Sequence, residues 1–173
     1  DDVTGLFNAR HLYTMLDEQV ATGRVFSLMF MDLDRFKSVN DTHGHLIGSR
    51  LLAEVGGLLK RSTGPANAAF RYGGDEFVAL FPGLSKSAAT SATMTVFEDL
   101  RTNRFLEGAG MSLQLSGSFG LATYPEDGNT VPLILRSADT MMYEAKTTRN
   151  NIAVMGKGLL MNRVALAGVR DER

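Results

Sequence analysis

The sequence predicts an α+β fold, an antiparallel sheet on a βαββαβ order with one additional helix and strand. Three observations carry this. Two apolar runs, "VFSLMFMDLD" and "EFVALF", are too short for membrane spans and suit buried strands. A Gly-Gly-Asp turn joins "AAFRY" to "EFVALF", supplying the positive φ that a tight hairpin needs. Segments with helical spacing separate the remaining strands, the alternation expected of mixed layers.

In chain order, Asn8–Val20 has helical spacing and an Asn where an N-cap sits. Val25–Asp34 is a continuous apolar strand that ends in acids. Gly48–Ser62 is an amphipathic helix, weakened by Gly56 and Gly57. The hairpin strands follow, and then a helix over Ser85–Phe105 opened by a Ser cap. Ser112–Tyr124 alternates as a strand, Thr130–Thr148 is a helix with Pro132 in its first turn, and "IAVM" is a short last strand. The element order places helices on one face of the sheet. One domain is expected over residues 1–155, with a tail of uncertain structure over 156–173.

The chain has 173 residues, 44% of them apolar and 21% charged, with a formal charge of −1. That balance opposes a broad nucleic-acid footprint. The absence of cysteine excludes disulfides, thiolate metal sites and Cys nucleophiles, and it fits a reducing compartment. No apolar run approaches the roughly 18 residues of a spanning helix, and no signal-peptide pattern is present. A cytoplasmic location without membrane contact is the expectation.

The chemistry concentrates in "FRYGGDEFVALF", Phe70 to Phe81. In the expected topology the first strand lies beside the third. Asp32 and Asp34 at its end then face Asp75 and Glu76 at the hairpin tip. Crowded carboxylates need a proton or a cation at neutral pH. Oxygen ligands without Cys and with little His favour Mg²⁺ or Mn²⁺, which share their shells with substrate phosphates. Lys37 is placed to meet such phosphates. Gly44 and Gly48, flanking "HLI", suit either turns or a close backbone approach to a ligand before the helix begins.

With these pieces assembled, the chain resembles the GGDEF domain of the diguanylate cyclase family. The resemblance runs from Asp1 to about Val154 through five ordered blocks: "DDVTGLFNAR", "MDLDRFKSVNDTHGHLIG", "RYGGDEF", "SGSFGLATYPEDG" and "ADTMMYEAK". It implies a palm-like, ferredoxin-like nucleotidyl cyclase fold with the sheet surrounded by helices. It also implies a reaction joining two nucleoside triphosphates into a 3′,5′-linked cyclic dinucleotide. By resemblance, Asp32 and Asp75 are metal ligands for Mg²⁺ (or Mn²⁺), assisted by the Leu33 carbonyl. Asp75 is also the proposed base, and Glu76 completes the acidic group. Arg35 and Phe36 offer backbone amides to phosphates held by Lys37, with Lys146 as a second phosphate lysine. Asn40 and His45 contact base and sugar. A homodimer is implied for catalysis, with a sensor domain upstream.

Three departures from the family pattern matter. "GHLIGS" places Ser49 where the family has a guanine-reading Asp. A carboxylate only accepts, matching guanine's N1–H and N2–H₂, whereas a hydroxyl can meet either base. Losing a charge-assisted contact removes about 1.5–3 kcal/mol of discrimination. The chain therefore resembles the subset that uses GTP and ATP to make 3′,3′-cyclic GMP–AMP, with cyclic di-GMP and cyclic di-AMP as side products. A plain diguanylate cyclase and a degenerate nucleotide-binding domain are the alternatives. Second, "GPAN" holds Gly64 and Asn67 where the family's product-inhibition motif has Arg and Asp. Third, "AKTTRNN" replaces "AKxxGRN", so that Asn150 falls at an arginine position and Arg149 stands one place early. Either Arg149 reaches the phosphates or their binding is weakened.

Overall fold

A computed structural model describes residues 1–161 of the chain. Its elements are β1 (Phe7–Asn8), α1 (Ala9–Thr22), β2 (Phe26–Leu33), α2 (Phe36–His43), α3 (His45–Thr63), β3 (Ala68–Gly73) and β4 (Glu76–Pro82). There follow α4 (Lys86–Thr102), β5 (Gly117–Tyr124), α5 (Val131–Lys146), β6 (Asn151–Val154) and β7 (Gly158–Leu159). The seven strands form one sheet in the order β1-β3-β4-β2-β5-β6-β7. As expected, β2 lies antiparallel beside β4, while its other edge pairs antiparallel with β5. The pairs β1–β3 and β5–β6 are parallel, so the sheet is mixed rather than purely antiparallel.

Helices cover both faces, as the family resemblance implies and unlike the single-face arrangement inferred from element order alone. The reason lies in β2, all eight residues of which are buried. Met29, Met31 and Leu33 point into a core closed by α3 and α4, through Leu51, Val55, Val96 and Phe97. Phe26, Leu28 and Phe30 point the other way, against Leu12 and Leu16 of α1 and Ile134 and Ala138 of α5. A strand apolar on both sides requires a layer on each.

The predicted caps are present. Asn8 accepts from the His11 N–H and Ser85 from the Ala88 N–H. Two boundaries differ. β5 begins at Gly117 rather than Ser112; the preceding stretch makes only an isolated bridge between Leu113 and Phe105. Helical structure resumes at Phe36, well before Gly48. Gly44 (φ +85°) divides α2 from α3 and stands directly ahead of α3, as anticipated, whereas Gly48 lies inside that helix. Beyond residue 155, β7 pairs with β6, whereas residues 162–173 of the expected tail lie outside the described residues.

The position of α5 is set by Gly120. A Cβ there would fall on the Met142 backbone nitrogen and the Ala138 carbonyl, so the helix lies directly on the sheet. Gly120→Ala should therefore lower unfolding free energy by about 3 kcal/mol, at the upper end of overpacking penalties. Chemical denaturation measures this, and an unchanged midpoint would show that α5 has room to shift.

Candidate functional site

Strand parity places the acids. Asp32 has the parity of Phe30, so its side chain lies on the α1/α5 face, and its register partner in β4 is Glu76. The hairpin tip is Gly74-Asp75, with Gly74 at φ +46°. Two contacts pin the tip. The Leu33 N–H donates to the Asp75 carbonyl at 3.2 Å, tying it to the end of β2. The Arg71 guanidinium donates to the Gly74 carbonyl from Nε at 3.0 Å and from Nη2 at 2.8 Å. Arg71 was not among the expected site residues, although its place at the head of "RYGGDEF" was the available signal.

Lys146, in the last turn of α5, reaches across this face and puts Nζ 3.0 Å from Asp32 Oδ2. Burial pushes the Asp32 carboxyl up; the Lys146 hydrogen bond pulls it back, and Asp75 pushes it up again, with a net rise. Burial likewise raises Glu76, with Asp32, Asp139 and Asp75 adding to it. Burial alone would lower Lys146, but the hydrogen bond and charge of Asp32, with Asp75 and Glu76 nearby, leave it raised. The ammonium thus sits where positive charge is most favourable.

Asp34 is near enough to add to the rise of the Asp32 carboxyl, but its own oxygens are hydrogen-bonded away from the hairpin tip. Its Oδ2 accepts from Ser116 Oγ at 2.6 Å and from the Asn150 N–H at 2.9 Å, and its Oδ1 accepts from Ser118 Oγ at 2.8 Å. Among the described residues, no three acidic or histidine side chains are gathered as a ready-made metal cage. The Asp32 and Asp75 carboxylates remain, with Glu76 beside Asp32 in register. That set fits Mg²⁺, which takes one or two carboxylates and leaves the rest of its shell to water and phosphate.

Arg35 (φ +59°) precedes α2, with Phe36 buried and Lys37 exposed in its first turn. Asn40 lies further along α2, and its Oδ1 is buried without a partner. A Cβ on Gly48 would collide with that atom, so Gly48 makes room for Asn40. His45 and Ser49 stand four residues apart on α3, hence on one face, and both are exposed. The α2–α3 corner therefore carries Asn40, His45 and Ser49 together. Arg149 (φ +56°) and Asn150 (φ +43°) follow α5 in consecutive left-handed conformations. Arg149 occupies the place of the glycine in "AKxxGRN", and it lines a cleft with Arg35, Asp34 and Ser116.

An acidic hairpin set beside an acidic strand end, with Lys146 against it, is a layout suited to a cation and a phosphate. A family model described as "Diguanylate cyclase, GGDEF domain" matches residues 1–152, and the chain belongs to that family. It is 34% identical over 155 residues to the bifunctional diguanylate cyclase/cyclic di-GMP phosphodiesterase MucR of Pseudomonas aeruginosa, covering 87% of this chain and 22% of MucR. It is 31% identical over 150 residues to diguanylate cyclase A of Treponema denticola, covering 87% of this chain and 40% of that protein. The chain thus spans under half the length of either relative. Among solved structures, the diguanylate cyclase SiaD of Pseudomonas aeruginosa, crystallised with its activator SiaC, superposes with a TM-score of 0.83. Identity is 30%, over 89% of this chain and 60% of SiaD. The GGDEF domain of YfiN from the same organism gives 0.81 at 25% identity, over 87% of this chain and 96% of that one. No described helix is long and apolar enough to cross a membrane.

The raised carboxyls fix the sign of a pH effect. The unfolded chain releases these protons at ordinary carboxylate values, and the fold holds them to higher pH. Their contribution to stability is full below the ordinary value and is lost as pH rises through the raised one. A divalent cation opposes that loss and competes with protons below it. Saturating Mg²⁺ should therefore raise Tm more at about pH 7.5 than at about pH 5. Thermal unfolding at the two pH values checks this, and an equal rise at both would separate the cation from these carboxylates.

Proposed function

We propose that this domain is a dinucleotide cyclase condensing GTP and ATP, chiefly into 3′,3′-cyclic GMP–AMP. The observation that carries the cyclase reading is the Asp32–Glu76 register with Asp75 at the pinned hairpin tip. Asp32, Asp75 and the Leu33 carbonyl would hold Mg²⁺ (or Mn²⁺), which when bound supplies charge neutralisation on the phosphates. Lys37, Lys146 and the amides at Arg35 and Phe36 take the terminal phosphates, and Arg149 adds a guanidinium. Asn40 and His45 hold base and sugar. Asp75 accepts the proton of a 3′-hydroxyl as that oxygen attacks the α-phosphorus of the other nucleotide. A P–O bond forms, the α–β anhydride breaks, and pyrophosphate leaves. Two such steps close the ring.

Each domain offers one such site, so two copies must face each other with one triphosphate apiece. The active form in this reading is a homodimer. The reaction belongs in the cytoplasm, where nucleoside triphosphates are supplied.

The mixed-base reading rests on Ser49, an exposed hydroxyl on the same helix face as His45. A plain diguanylate cyclase is the second reading, favoured by the names of the relatives. Names alone do not decide activity: the chain is also 35% identical over 148 residues to the cyclic di-GMP phosphodiesterase PdeR of Escherichia coli.

Asp75→Asn should abolish turnover with the fold intact by circular dichroism, and parental yield would refute the site. With equimolar GTP and ATP, the parent should give mixed product. Ser49→Asp should shift the product towards cyclic di-GMP by about ten- to a hundredfold, the worth of a charge-assisted contact. Chromatography of the products reads this out, and an identical ratio in both proteins would place base choice elsewhere.

A further inference from the structure

We propose that Asp34 is a positioning residue whose carboxylate straps the Arg149–Asn150 turn over the phosphate cleft. The inference rests on the nucleotide reading above but uses a residue to which that reading gives no role. Asp34 is buried at the end of β2, immediately before Arg35. Its backbone N–H donates to the Ser116 carbonyl at 2.9 Å, fixing the main chain against the approach to β5. Its side chain then spans outward. Ser116 Oγ and Ser118 Oγ hold it from one side, and the Asn150 N–H meets it from the other across 116 residues of sequence.

The turn needs such a hold. Arg149 and Asn150 are consecutive non-glycine residues in left-handed backbone, a conformation that persists only when its surroundings over-determine it. Asn151 secures the far side: its Nδ2 donates to Thr148 Oγ1 at 2.9 Å, and its Oδ1 accepts from the Ile152 N–H at 2.8 Å. Asp34 secures the near side, at the residue after Arg149. Arg149 and Arg35 then line one cleft from opposite loops, with Asp34, Ser38 and Ser116 between them. Arg35 is itself left-handed and directly follows Asp34. One carboxylate therefore anchors the backbone beside both arginines, and guanidinium groups lining one cleft are the chemistry that takes the oxygens of a polyphosphate tail.

The chemistry of the three donors separates a strap from a charge. In Asp34→Asn, an amide oxygen in the Oδ2 position keeps Ser116 and the Asn150 N–H. The amide nitrogen then donates to Ser118, whose hydroxyl both donates and accepts. Asparagine should therefore replace aspartate, whereas alanine should not.

Calorimetry with α,β-methylene GTP and with GMP tests this in the parent, Asp34→Asn and Asp34→Ala. Alanine should lower the triphosphate-to-monophosphate affinity ratio about tenfold, as expected for a displaced charged contact, while asparagine stays within about threefold of the parent. An unchanged ratio in the alanine variant, or an equal loss in both variants, would overturn the strap. If Asp34→Ala does not fold, Ser118→Ala takes its place. It should lower the ratio by a smaller factor, and no change there counts against the proposal. Amide hydrogen exchange at Asn150 gives a readout without nucleotide: protection should fall in alanine and persist in asparagine. Equal protection in both overturns the strap, whereas a parent that binds neither nucleotide, with the exchange pattern intact, overturns the nucleotide reading alone.

Discussion

The ion pair between Asp32 and Lys146 is the contact on which the site depends. Asp32 is buried at a strand end, opposite Glu76 and near Asp75, an arrangement that favours protonation. Lys146 offsets it at 3.0 Å without filling the position permanently, because its own stem is more than a third exposed. An ion pair of this kind is a weak contributor to stability but a good placeholder for charge. In the proposed reading Asp32 and Asp75 would hold the cation, which would supply that neutralisation, and Lys146 would be left to meet a phosphate.

The fold is arranged so that these two groups meet. β2 is apolar on both sides and is therefore covered by two helical layers, which makes its even-numbered side chains face α1 and α5. Asp32 falls on that side by parity alone. Gly120 lets α5 lie directly on β5, and the helix ends at Lys146 at the same end of the sheet as the Asp32 strand end and the hairpin tip. The turn after α5 is then fastened back to Asp34. Strand and hairpin are thus joined by a backbone contact, and the hairpin tip and helix end are fastened by the side chains of Arg71, Lys146 and Asp34.

Much of this was legible in the sequence, because its signals are local or periodic. The apolar runs, the Gly-Gly-Asp turn and the caps at Asn8 and Ser85 led to the right elements, and the adjacency of β2 and β4 followed from their order. What the sequence hid was tertiary. α2 has a largely polar sequence and no side-chain cap, and it is held by packing against α3 and by the buried Phe36. The two-sided covering of the sheet was implicit in the apolar run of β2 and in the family resemblance, whereas element order alone points to one face. Asp34 looked identical in kind to Asp32, and only the distant partners Ser116, Ser118 and Asn150 distinguish them.

In the proposed reading the Asp32 carboxylate is a cation site held in readiness by Lys146. Electron paramagnetic resonance of Mn²⁺ binding, without nucleotide, tests it in the parent, Asp32→Asn and Lys146→Met. Removing the competing ammonium should tighten Mn²⁺ binding, and removing the carboxylate should weaken it below the parent. Equal affinities in all three proteins would contradict the account.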